Sequence, residues 1–65
     1  MAVIVYGNEG DQTIIVRQEN EIGITYLVES RAYGGYYTTF ASYDFNEVLE
    51  RVKASNPSFR KELLK

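Results

Sequence analysis

The chain has no histidine, no cysteine and no tryptophan, and only one proline and one methionine. Each absence removes a class of chemistry. Without imidazole or thiolate, the protein lacks the side chains most used near neutral pH as metal ligands, nucleophiles and general acids or bases. Disulfides are excluded, and a tight zinc or iron site is not expected. No cofactor is implied. The longest apolar run near the start, Ala2 to Tyr6, is too short for a signal peptide or a membrane span. The expectation is a cytoplasmic protein that does not engage a membrane.

A strong charge of one sign is also missing. The formal net charge is −2. Residues 1–41 carry Arg17 and Arg31 against Glu9, Asp11, Glu19, Glu21 and Glu29, whereas residues 42–65 are mildly basic. A duplex-DNA binder neutralises phosphates with a basic face, and no such face is visible here.

What the chain does have is six tyrosines and a 45% hydrophobic composition, enough for a folded core. Its 65 residues make one domain. A chain this short buries only about 60% of its unfolded surface. Stability then has to come from efficient packing or self-association.

The first two thirds read as strands, at about residues 2–6, 12–19, 23–31 and 36–41. Val3-Ile4-Val5-Tyr6 is β-branched and aromatic, and Gly7-Asn8-Glu9-Gly10-Asp11 is dense in turn formers. The short connections imply antiparallel hairpins. A three-residue loop at Tyr33–Gly35, with Gly35 left-handed, would set Val28 opposite Phe40 and Arg31 opposite Tyr37. Alternation then puts Ile14, Val16, Ile24, Tyr26, Val28 and Phe40 on one face. Thr13, Ile15, Arg17, Thr25, Leu27, Glu29, Tyr37 and Thr39 fall on the other.

The last third reads as two helices, about 44–55 and 57–64. Asp44 is a good N-cap, with Glu47 completing a capping box and Tyr43 stapling onto Val48. Phe45, Val48, Leu49 and Val52 form one apolar stripe, expected to cover the Ile14/Val28 face. Glu47 and Arg51 are spaced for an ion pair. Asn56 and Pro57 would start the second helix, with Phe59 and Leu63 on its apolar side. Strands followed by helices indicate an α+β fold: a small antiparallel sheet with two short C-terminal helices packed on one face.

Tyr33, Tyr36 and Tyr37 crowd around Gly34–Gly35, with Arg31 close by. Tyrosine and arginine are enriched at binding hot spots, because they join a large contact area to a polar tip. These four are the candidate partner-binding residues. The competing explanation is that aromatics simply form good cross-strand pairs. Ile15 and Leu27, on the supposed outer face with Tyr37, form a candidate dimer or docking patch. Glu19, Glu21 and Glu29 sit near hairpin turns, where carboxylates are solvated rather than poised for acid–base work. Asn8–Asp11 lacks the ligand spacing of a calcium loop. Gly34–Gly35 lacks the context of a phosphate loop.

Gly35-Tyr36-Tyr37-Thr38-Thr39-Phe40, the helix from Phe45 to Val52, Ala54-Ser55 and Ser58-Phe59-Arg60-Lys61-Glu62-Leu63 together resemble the small KTSC domains. Those domains occur alone in bacteria or at the end of some lysyl-tRNA synthetases. The resemblance spans residues 24–64. It implies a sheet with two terminal helices and a role in RNA binding, and it carries no functional residue over.

The residues themselves favour a non-enzymatic protein-binding module, an accessory or inhibitory protein of bacterial or phage type, with homodimerisation open. The alternative is a single-stranded RNA or DNA binder that stacks bases on the tyrosines beside basic helices carrying Arg51, Lys53, Arg60, Lys61 and Lys65.

Overall fold

The computed structural model describes residues 1–65. Four strands form one antiparallel meander in chain order: β1 (Ala2–Tyr6), β2 (Thr13–Glu19), β3 (Ile24–Ala32) and β4 (Gly35–Ser42). One α-helix follows, α1 (Phe45–Ser55), and then a single 3-10 turn, Lys61–Leu63. The α+β sheet-and-helix architecture is as expected. The second helix is not. Asn56 accepts the Ser58 N–H through its side chain, which makes a local turn, and the chain then runs out extended. Phe59, Leu63 and Leu64 are drawn onto the core beside Tyr6, and the segment follows β1 instead of forming a second α-helix.

That extended tail pairs with the C-terminal end of β1. The Gly7 N–H donates to the Leu63 carbonyl, the Lys65 N–H donates to the Val5 carbonyl, and Tyr6 bridges Leu64. A bulge at Val5 shifts the β1–β2 register from Ile4↔Val16 to Tyr6↔Ile15. Tyr6 becomes the largest fully buried side chain. Its ring stacks parallel on Phe59 at 5.1 Å, and its hydroxyl accepts the Arg60 N–H. Tyrosine suits this place because its apolar ring and its polar tip both find partners.

The β3–β4 hairpin corrects the expected turn. Ala32 pairs with Gly35, leaving a two-residue loop of Tyr33 and Gly34, both with positive φ (52° and 82°). Positive φ at both central residues is the mark of a type I′ turn, whose twist matches that of the strands. Arg31 therefore pairs with Tyr36, not Tyr37. Val28 still pairs with Phe40, because β4 carries an extra residue, Thr39, at a register shift opposite Val28/Glu29. The shorter turn and the bulge cancel.

Residues directly opposite on neighbouring strands share a face. Tyr6, Ile15, Val28 and Phe40 thus share the face that receives α1, with Tyr26 alongside. Val48 and Val52 of α1 close on Tyr6, Ile15 and Val28, and Phe45, Leu49 and Phe40 pack around them. Ile15 was expected on the outer face with Leu27; it is 0% exposed at the centre of the core. The expected alternation was out of phase along β2. Ile14 and Val16 point to the side that no helix covers. Ile14 is nevertheless buried, because the β1–β2 loop folds against it. At Gly7 (φ +80°) a Cβ would lie 3.2 Å from Ile14 Cγ2 and 3.1 Å from the Thr13 carbonyl, so glycine permits the approach.

Helix α1 forms where the apolar stripe predicts. Asp44 is its N-cap, with Oδ1 accepting the Asn46 N–H. Tyr43 is 78% exposed, so the expected staple onto Val48 is not made. Glu47 and Arg51 form no ion pair; Glu50 pairs with Lys53 instead. Arg51 turns inward and lies over the Phe40 ring at 4.5 Å.

Candidate functional site

The β3–β4 hairpin places the four candidate partner-binding residues in two different environments. Tyr36 and Arg31, a cross-strand pair, reach across the sheet to the β1–β2 loop. The Tyr36 hydroxyl accepts the Gly10 N–H at 2.8 Å and donates to the Asp11 carbonyl at 2.7 Å. Arg31 Nη1 donates to the Gly10 carbonyl at 2.9 Å. The Arg31 backbone is fixed as well: its N–H donates to the Gln12 carbonyl, and its carbonyl accepts Gln12 Nε2. These two side chains clamp a loop: the Tyr36 hydroxyl is fully engaged, and the exposed Arg31 guanidinium commits one N–H to it.

Tyr33 and Tyr37 are free. Tyr33 stands at the hairpin tip, fully exposed, and Tyr37 on β4 is 54% exposed. Register puts Tyr37 opposite Ser30 on the helix side of the sheet, and Tyr36 opposite Arg31 on the other side. The tyrosine cluster of the sequence is therefore divided by the pleat into a structural half and an accessible half.

β4 is an outer strand of eight residues, Gly-Tyr-Tyr-Thr-Thr-Phe-Ala-Ser, with no charge along it. An outer strand exposes a row of unpaired backbone N–H and C=O groups, and charges or cover usually guard it. Here the guard is limited to the Thr39 bulge. The uncovered sheet face meets this edge in an apolar row. Ile4, Val16, Leu27 and Ala41 are successive register partners across all four strands. Leu27 thus keeps its expected place on the open face, whereas Ile15 is enclosed in the core and unavailable for docking. Thr38 donates to the Glu29 carboxylate at the end of the row nearest the hairpin.

A second feature is barely legible in the residues. Two open polar grooves, of about 360 Å³ and 460 Å³, lie beside the C-terminal half of α1 and share Gln12, Thr13 and Asn56. The larger is lined by Ser30, Thr39, Phe40 and Arg51 as well. The one available clue was that Arg51 follows Val48 by three residues and so borders the apolar stripe.

No three acidic side chains come together in a way that could hold a metal ion. No helix is long and apolar enough to cross a membrane. The class that the fold defines is a four-stranded antiparallel meander with one helix on one face and a tail sealing one edge. No family model, curated protein or solved structure matches the chain. The likeness to KTSC domains therefore rests on the quoted residues alone.

Proposed function

We propose that the chain is a small non-enzymatic module that binds another protein along the free edge of β4 and the adjoining hairpin tip. The supporting observation is the state of that edge: eight uncharged residues, outermost in the sheet, flanked by exposed Tyr33 and Tyr37. An extended segment of a partner can add to such an edge as a further strand. Backbone hydrogen bonds then supply affinity and alternate side chains supply selectivity. Leu27 and the apolar row beside it extend the contact over the open face. Arg31 and Tyr36 stand outside the contact and serve the fold, by holding the β1–β2 loop under the hairpin.

The test is capture from a nuclease-treated extract of the source cells, with the full chain as bait. A Tyr37→Lys/Ala41→Lys variant places a charge on each side of β4. The wild type should retain a discrete protein that the variant loses. Equal retention by both would sink the edge as the binding surface. Nucleic acid released by high salt from an untreated extract would favour the single-strand-binding class instead.

A further inference from the structure

We infer that the larger groove beside α1 is a carboxylate-binding site, with Arg51 supplying the charge and Ser30, Thr13 and Asn56 supplying further donors. It lies on the helix side of the sheet and goes beyond the edge-binding reading.

Arg51 is the only charged residue in the lining of this groove. Its guanidinium has no carboxylate partner; the same is true of Arg31, Lys61 and Lys65, whereas Arg17, Lys53 and Arg60 are each paired with a glutamate. Unlike those of Arg31 and Lys65, the Arg51 side chain donates to no protein oxygen. Its guanidinium carbon lies 4.5 Å from the centroid of the Phe40 ring. With none of its N–H groups committed to another protein group, the guanidinium fork is free, and that fork matches a carboxylate.

The polar neighbours fall into two groups. Some donors are already used. The Ser55 hydroxyl bonds the Arg51 carbonyl, the Thr39 hydroxyl bonds the Val28 carbonyl, and Gln12 Nε2 bonds the Arg31 carbonyl. The Ser30 and Thr13 hydroxyls, paired across β2 and β3 on the helix side, have no protein partner, and neither does the side-chain N–H₂ of Asn56. Four uncommitted donor groups therefore line one groove that contains no acid. A polar groove rich in free donors and bearing one positive charge complements a single negative charge with acceptor oxygens. The one guanidinium in the lining balances a single negative charge and not two. The chemistry that fits is a carboxylate, from a free small acid or from an aspartate or glutamate side chain of a protein.

Backbone amide shifts in two-dimensional NMR test this at constant ionic strength. The probes are sodium acetate, a short peptide blocked at both ends with one glutamate, the same blocked peptide with glutamine, and inorganic phosphate. The site predicts saturable, correlated shifts at Thr13, Ser30, Thr39 and Asn56 with acetate or the glutamate peptide, and none with the glutamine peptide. Acetate and peptide acting together, or either one alone, support the site and identify the source. Arg51→Gln should weaken binding about tenfold or more, the loss expected for one charge-assisted pair. Lys53→Gln should not weaken it. If Arg51→Gln fails to fold, Ser30→Ala is the second variant and should weaken binding several-fold with the spectrum otherwise intact. Non-saturating shifts, shifts unchanged in these variants, or tighter binding of phosphate at the same residues would overturn the assignment.

Discussion

The two outer strands of this sheet are alike in sequence and opposite in fate. β1, Ala-Val-Ile-Val-Tyr, and β4 both lack charge. β1 has the C-terminal end of its far side covered, because Val5 and Gly7 bond to the tail and Tyr6 is sealed under Phe59. β4 has only solvent beyond it. The same missing charge thus marks a strand finished internally in one case and a strand left open in the other. An uncharged edge acquires functional meaning only once the rest of the chain has been shown not to cover it.

The comparison can be broken most forcefully at Tyr6. Tyr6→Ala removes the stacked ring and the hydroxyl that holds Arg60, and should cost about 3–5 kcal/mol. A chain this short has about 3–10 kcal/mol in total. Urea denaturation followed by circular dichroism should show most of the stability gone. A cooperative transition shifted only slightly would mean that the tail does not hold β1.

Tyr36→Phe comes next. It deletes both bonds to the β1–β2 loop and should cost about 1 kcal/mol, leaving partner capture unchanged. Loss of capture without loss of stability would return Tyr36 to the contact surface. Tyr33→Asn sharpens the open side. A bulky residue with positive φ is strained, and Asn-Gly is the preferred type I′ pair. A gain of about 0.5–1 kcal/mol is expected in the same melts; a loss would show that the exposed ring contributes packing. The smallest effect on stability belongs to Tyr37→Lys, within about 0.5 kcal/mol of wild type, since the side chain is half exposed and makes no hydrogen bond. A larger loss would mean that β4 depends on that ring for its fold.

Much of this fold was legible in the residues. The four strands, the Asp44 cap and the Phe45/Val48/Leu49/Val52 stripe all follow from local pattern. The face assignment failed in β2 because Thr13-Ile14-Ile15-Val16 is apolar on both sides, so alternation alone had no phase to lock onto. Burial of Ile14 depends on a loop that closes at Gly7, and no period reports that. The second helix failed because its apolar residues, Phe59 and Leu63, are used by a strand from the other end of the chain. At the candidate site, the residue types pointed to the β3–β4 hairpin, but only the pleat shows which tyrosines are free. The Arg51 groove depends on which donors are already bonded, and that is a property of the folded molecule alone.

The sealing of Tyr6 also orders events during synthesis. Its hydroxyl waits for the amide of Arg60, 54 residues away, and its backbone bridges Leu64. The meander pairs only neighbours and can form as each strand leaves the ribosome. β1 nevertheless gains its outer partner only from a segment far along the chain. Until Leu63–Lys65 has docked, the C-terminal end of β1 is open as well as the β4 edge, and open edges invite pairing with other chains.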